Sequence, residues 1–210
     1  MVIRDWSSDV CSSDLKRKVH QVLGRIENIG ADLNAYTTKE ETCIHASFLS
    51  DFYPRAIELF SDILFNSTFP EKEIDKEKDV VIDEINAYKD SPSELIFDEF
   101  EEMLFKGHAL GRSILGKPAA VKRISRKKIL SFIANHYNTD QMVISSVGNI
   151  RFERLVKLVS EAFGQQPASL RSTRREEFTG GEPTEVIQQR RIFQTHCIMG
   201  NHAYGYTHKA

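Results

Sequence analysis

The chain has 210 residues, of which 40% are hydrophobic and 28% are charged, and its formal net charge is -2. This length is enough to bury a core, in one large domain or two small ones. The near-neutral charge excludes a generally basic nucleic-acid or membrane-surface protein, and no apolar run approaches the roughly 18 residues that span a bilayer.

The first fifteen residues differ from the rest of the chain. The segment SSDV at positions 7–10 is nearly repeated as SSDL at positions 12–15, without helical or strand periodicity. It resembles the translation of a cloning adapter, so we exclude residues 1–15 from the fold as a non-native leader. A natural disordered leader is the alternative.

From Lys16 onward the apolar pattern predicts a helix that ends at Gly30, a helix C-cap glycine. Alternation then predicts two strands, Asp32–Thr37 and Thr42–Leu49, joined by a hairpin turn. Asp51 is the predicted cap of a second helix with a broad apolar face. The segment 66–70 ends that helix.

A long acidic helix is predicted from Glu71 to Asp90, with Pro70 in its first turn. Glu77 and Glu84 lie seven residues apart, which places them about two turns apart on one face. Two carboxylates on one face repel each other unless a lysine, an arginine or a metal ion lies nearby. A solvated acidic face, balanced by neighbouring lysines, explains the same pattern.

The second half of the chain is predicted to be mostly helical. The predicted helices are 94–105, one that begins at Ser125 with Ile129, Leu130, Phe132 and Ile133 on its apolar side, and 151–163; the predicted strands are 142–147 and 188–199. Because strands and helices separate along the chain, we predict an α+β fold. We divide it into a main body (16–166), a polar surface loop (167–187) and a returning strand with a truncated end (188–210).

Motifs for catalysis are few. Neither His-Glu-x-x-His nor His-x-x-Glu-His occurs, and there is no glycine-rich phosphate loop and no pair of cysteines at metal spacing. The three cysteines, Cys11, Cys43 and Cys197, are scattered and predict free thiols in a reducing compartment. We therefore expect a cytoplasmic location, with the periplasm as the alternative. The residues alone give an α+β domain with an acidic helix face.

Residues 25–148 resemble the N-terminal domain of the inverzincin zinc peptidases, the pitrilysin, insulinase and mitochondrial-processing-peptidase family. The matching segments occur in the family's order with natural spacing: IGADLNAYT at 29–37, EKDVVIDEI at 77–85, GHALGR at 107–112, ILG at 114–116, HYN at 136–138 and MVISSVGN at 142–149. The resemblance implies a metallohydrolase half with a mostly antiparallel sheet and helices on one side.

The resemblance also implies roles for particular residues. Glu84 would be the third protein ligand of one zinc ion, and Glu77 its supporting carboxylate. Asn34 and Ala35 would lie on the strand that pairs with an extended peptide substrate. A homologous second half or partner subunit would close over that peptide.

The family's His-x-x-Glu-His motif is missing at its expected place. Counted back from Glu84 with the family's spacing, its histidines and general base should stand at positions 3, 7 and 6, where this chain has Ile3, Ser7 and Trp6. We therefore expect a fragment of a zinc endopeptidase that is inactive as written. The alternatives are a non-catalytic homologous subunit, or an unrelated binding module with an acidic helix.

Overall fold

The computed structural model describes residues 24, 28–172, 174–182, 184–203 and 205. Within them the chain forms a two-stranded antiparallel sheet and six α-helices, which confirms the predicted α+β class. The elements are β1 (Asp32–Thr37), β2 (Thr42–Ser47), α1 (Tyr53–Asn66), α2 (Glu71–Lys89), α3 (Pro92–Leu104), α4 (Pro118–Val121), α5 (Arg126–His136) and α6 (Phe152–Phe163), with short 3-10 turns at Ser50–Phe52, Ala109–Gly111 and Thr139–Gln141.

The hairpin forms where the alternating pattern predicts it. Asp32 pairs with Ser47 and Thr37 with Thr42, and the backbone N–H of Thr38 donates to Glu41 O at 2.8 Å to close the turn. One hairpin face packs on α1, since Leu33 and Ile44 contact a core cluster of the buried residues Ala31, Ala56, Leu59 and Ile63. This cluster is the first of two cores.

The second core holds the acidic helix in place. Val81 and Ile85 of α2 are 9% and 3% exposed and pack against Val121 of α4. Val81 and Ile85 share one apolar stripe of α2 with Ile74 and Tyr88, which are half-buried at its ends. Burial of these aliphatic side chains fixes the helix that carries Glu77 and Glu84.

Helix α6 packs against α1. The Ser61 hydroxyl donates to Ala162 O at 2.7 Å, and the rings of Phe65 and Phe163 meet edge to face with centroids 5.7 Å apart. The predicted helix at 151–163 is therefore confirmed to within one residue.

Two predicted strands are wrong. Residues 142–147 and 188–199 form no strand in the described part of the chain. Val143, Val147 and Phe193 are 90%, 102% and 109% exposed, so these segments are not buried. A β-strand needs a neighbouring strand for its backbone hydrogen bonds, and neither segment pairs with the hairpin in the described residues.

Helix ends also differ from the sequence predictions. Asp51 lies in the 3-10 turn, and Phe52 is the N-cap residue of α1. The chain enters α1 through that turn, which moves the helix start to Tyr53. Pro70 is the N-cap residue of α2 rather than part of its first turn. Ser125 caps α5 as predicted, and its hydroxyl accepts from the Lys128 backbone N–H at 3.4 Å.

Further departures concern α5, α4 and the chain before β1. Leu130 and Phe132 are 37% and 50% exposed, so only Ile129 of the predicted apolar side of α5 is buried. The short α4 was not predicted, because four residues are too few to show helical periodicity. Most of the helix predicted from Lys16 lies outside the described residues, although Gly30 has the positive φ of +68° expected of a C-cap glycine. No described helix is long and apolar enough to cross a membrane.

Candidate functional site

Strand β1 offers an open backbone edge at Asn34 and Ala35. In an antiparallel pair, successive residues point their N–H and C=O groups alternately toward and away from the partner strand. The hydrogen bond from Thr38 N–H to Glu41 O shows which residues of β1 bond to β2. The backbone groups of Asn34 face its partner His45, whereas the backbone groups of Leu33, Ala35 and Thr37 point away from β2. No further strand covers this edge in the described residues.

The Asn34 side chain occupies part of that edge. Its Oδ1 accepts a hydrogen bond from the Ala35 backbone N–H at 2.7 Å. Ala35 itself is 3% exposed, so its methyl group packs inward. A peptide that paired with β1 would therefore meet the Ala35 N–H already engaged by Asn34. The roles of both residues in substrate binding stay predictions.

The exposed face of the hairpin places a tyrosine and a cysteine opposite each other. Tyr36 pairs with Cys43, and its ring lies 6.0 Å from that of His45. The hydrogen bond with the Cys43 side chain, and then the charge interaction with it, raise the pKa of Tyr36 above its usual value of 10.0. Strand alternation places Asn34 and Tyr36 on one face, which is a signal that the sequence analysis did not use.

We expect the Cys43→Ala substitution to lower the pKa of Tyr36 toward that of a free tyrosine. A raised pKa in the fold means that this pair contributes stability below pH 10, and that the contribution is lost as the pH rises through the pKa of folded Tyr36. The alkaline titration of Tyr36, measured as the difference between absorbance curves of the chain and its Tyr36→Phe variant, tests this. An unchanged titration in Cys43→Ala would contradict the pairing.

Glu77 and Glu84 lie half-buried on one side of α2. Seven residues of helix separate their Cα atoms by roughly 10 Å. The helix therefore carries both carboxylates on one side, about two turns apart. The roles of Glu84 as a zinc ligand and of Glu77 as its supporting carboxylate stay predictions.

The predicted site residues belong to two different cores. Asn34 and Ala35 lie on the hairpin that packs with α1, whereas Glu77 and Glu84 lie on α2, which packs with α4. Lys39 joins the hairpin to α3 and to the 3-10 turn at Ala109–Gly111. It forms an ion pair with Glu101 and a 2.7 Å hydrogen bond to Leu110 O. The sequence analysis did not identify this residue. Its position in the hairpin turn gave no signal of this contact.

The donor groups do not fit a zinc site. In the described residues no three His, Cys, Asp or Glu side chains are placed to hold a metal ion. The positions that should supply two imidazoles and a base hold Ile3, Ser7 and Trp6, and none of these is a zinc ligand of the expected type.

Comparisons with known proteins agree with the resemblance. Residues 11–118, more than half of the chain, match the model described as insulinase, peptidase family M16. Residues 123–210 match the model described as the peptidase M16 inactive domain. The mitochondrial-processing peptidase subunit beta of Dictyostelium discoideum is 39% identical over 138 residues, which is 66% of this chain and 29% of that protein.

Solved structures show the same fold at lower identity. The peptidase M16 inactive domain from Pseudomonas fluorescens has a TM-score of 0.72 and 18% identity, and the match covers 81% of this chain and 42% of that one. The first half of the periplasmic protease PqqL from Escherichia coli has a TM-score of 0.62 and 18% identity, covering 79% and 42%. The chain spans between 28% and 38% of the length of the curated relatives that it matches. It belongs to peptidase family M16, the insulinase family.

Proposed function

We propose that this chain carries the acidic-ligand helix and the substrate-pairing strand of a zinc-dependent M16 endopeptidase, and that as written it neither holds zinc at Glu84 nor hydrolyses peptides. The observation that supports this most is the placement of Glu77 and Glu84 on one side of a helix that Val81 and Ile85 fix in a core. Both carboxylates are half-buried, whereas a solvated acidic face would leave them exposed.

The open edge of β1 supports the peptide part of the proposal. An extended peptide can add to an exposed strand through main-chain hydrogen bonds, and this mode tolerates many side chains. Leu33 and Thr37 present N–H and C=O groups on that edge, and Ala35 presents its C=O, since Asn34 Oδ1 already accepts from the Ala35 N–H. The substrate class is therefore an extended peptide. Pairing at this edge does not select its side chains, so another part of the protein must do so.

The missing motif supports inactivity. A site that has Glu84 as its single protein ligand lacks the two imidazoles that a catalytic zinc needs. Trp6 stands at the position of the proton acceptor, and indole cannot accept a proton at neutral pH. Peptide hydrolysis would require histidines at positions 3 and 7 and a glutamate at position 6 in place of the present residues.

Metal analysis of the purified chain tests the proposal. After dialysis against zinc-free buffer we expect far less than one zinc per chain, and no cleavage of a fluorogenic peptide. Glu84→Ala should change neither result, and Glu102→Ala, on exposed α3 surface, serves as its matched control. Stoichiometric zinc that Glu84→Ala removes and Glu102→Ala retains would contradict the proposal.

A non-catalytic homologous subunit is the second candidate. The match of residues 123–210 to an inactive-domain model and the missing histidines favour it. Retention of both Glu77 and Glu84 favours the first, since a subunit without a metal has no need of two stacked carboxylates. The genomic reading frame that corresponds to residues 1–15 separates the two: His-x-x-Glu-His there would identify a peptidase.

The partner in either case is a homologous half or subunit. The neighbour from Escherichia coli is described as the first half of a protease, and this chain matches 42% of it, which supports a further homologous part as the partner. Exposed apolar side chains such as Val143 and Phe193 agree with a surface that a further part of the assembly covers.

A further inference from the structure

A basic patch extends over α4, the following turn and the start of α5. We define it as the six basic residues of the segment 117–128: Lys117, Lys122, Arg123, Arg126, Lys127 and Lys128. These twelve residues contain six of the chain's 28 basic side chains and none of its 30 acidic ones, so the rest of the chain holds eight more acidic than basic residues. The net charge of -2 conceals this separation.

The basic patch is exposed but rigidly supported. All six of its residues are exposed, while Val121, which lies within the segment, and Ile129, which directly follows it, are each 7% exposed. Val121 packs against Val81 and Ile85 of α2. The Arg126 Nε atom donates to Thr68 O at 2.9 Å, which ties the start of α5 to the segment before α2. The backbone that carries these charges is therefore fixed by the fold.

The charges of the basic patch are not neutralised within the described part of the chain. The described ion pairs use other basic residues, among them Lys39, Arg175 and Arg190. Lys128 Nζ donates to the backbone carbonyl of Arg123 at 2.9 Å, so in the described residues this ammonium has a neutral partner and not a carboxylate. Like charges so close in sequence repel one another. The first turn of α5 has no acidic residue, although the helix dipole favours one there. An external anionic partner would relieve this repulsion.

The surroundings of the basic patch favour an acidic polypeptide over a lipid bilayer. The outward face of α5 is formed by Lys127, Lys128, Ser131 and Asn135, which are exposed and polar. Leu130 and Phe132 flank this face at 37% and 50% exposure, which falls short of the broad apolar face by which a helix inserts into a bilayer. Phe132, at the flank, stacks on His136 of its own helix with ring centroids 4.5 Å apart.

Charge outside the basic patch disfavours a long nucleic acid. A duplex would extend past these residues onto a surface with an excess of carboxylates, which repel phosphates. A short acidic polypeptide segment can bind within the basic patch without extending onto that surface.

We propose that the basic patch is a docking surface for an acidic segment of another polypeptide. This surface is independent of the zinc site, because it uses neither Glu77 nor Glu84. Complementary charge of this kind raises the association rate and fixes orientation, and its effect weakens as salt screens it.

Fluorescence anisotropy with labelled octaglutamate tests the proposal. We expect binding in low salt that weakens as the NaCl concentration is raised from about 50 to about 200 mM. The double substitution Lys122→Glu and Lys127→Glu should reduce affinity by about tenfold or more, since it reverses two charges at the centre of the basic patch. Both side chains are exposed, and the Gln equivalents serve if the Glu variant does not fold.

The matched control is Arg154→Glu with Lys157→Glu on α6. Both residues are exposed, and the change in net charge is the same, so this variant should bind octaglutamate nearly as well as the original chain. An equal loss in the control, or no octaglutamate binding in low salt, would overturn the proposal. So would tighter binding of a 20-bp DNA duplex or of phosphatidylserine vesicles to the same surface.

Discussion

Substitution of Ile3, Trp6 and Ser7 by His, Glu and His should give a chain that binds one zinc ion tightly. The two histidines would stand at i and i+4, which would place them on one side of the helix that the family resemblance implies there. With Glu84 they would complete the three protein ligands of a catalytic zinc. Zinc per chain after dialysis, measured by mass spectrometry, is the readout, and the chain without these substitutions is the reference.

The carboxylates of α2 have different expected effects in that restored chain. Glu84→Gln should abolish stoichiometric zinc, because it removes a ligand. Glu77→Gln should lower zinc affinity by about 10- to 100-fold, the usual effect of removing a supporting group around the ligands. Equal effects of the two substitutions would contradict the roles proposed for them.

The role of the general base can be tested separately from that of the zinc ligands. Restoring only the histidines, with Trp6 retained, should give zinc binding without peptide hydrolysis, because the proton acceptor is still missing. A folded chain with all three substitutions and no zinc would show that the register from Glu84 is wrong. Circular dichroism establishes whether each variant is folded.

Local patterns predicted those elements that local interactions determine. The β1–β2 hairpin needs only alternation and a short turn, and both were present at residues 32–47. Helix α2 was predicted to within one residue at its C-terminal end, because an apolar stripe recurs over about four turns. The α+β class followed from these elements and was confirmed.

Elements that depend on distant partners were not predictable in this way. Residues 142–147 have strong β propensity, but propensity cannot supply a neighbouring strand. Leu130 and Phe132 follow a helical pattern, yet no element among the described residues covers that side of α5, so they are exposed. Sequence periodicity shows which side of an element is apolar and does not show whether another element covers it.

The candidate site shows the same division. The shared face of Glu77 and Glu84 follows from helix geometry alone, whereas a role in zinc binding came only from the family resemblance. The basic patch was visible as a charge run in the sequence, but the fixed position of α4 and α5 that makes it a coherent surface is a property of the fold.

Leu59→Ala should destabilise the fold by about 2–5 kcal/mol, because Leu59 is fully buried in the core between α1 and the hairpin. Such a loss is a large fraction of the roughly 5–15 kcal/mol by which a domain is stable. Urea unfolding followed by circular dichroism measures it as a lower midpoint.

Leu49→Ala is the matched control, since the same atoms are removed from a side chain that is 68% exposed. Its effect should stay within about 0.5 kcal/mol, as is usual for surface substitutions. Equal losses at the two positions would contradict the placement of the first core. Because Asn34 and Ala35 rest on this core and Glu84 on the other, Leu59→Ala in the restored chain should disturb the open edge of β1 more than zinc binding.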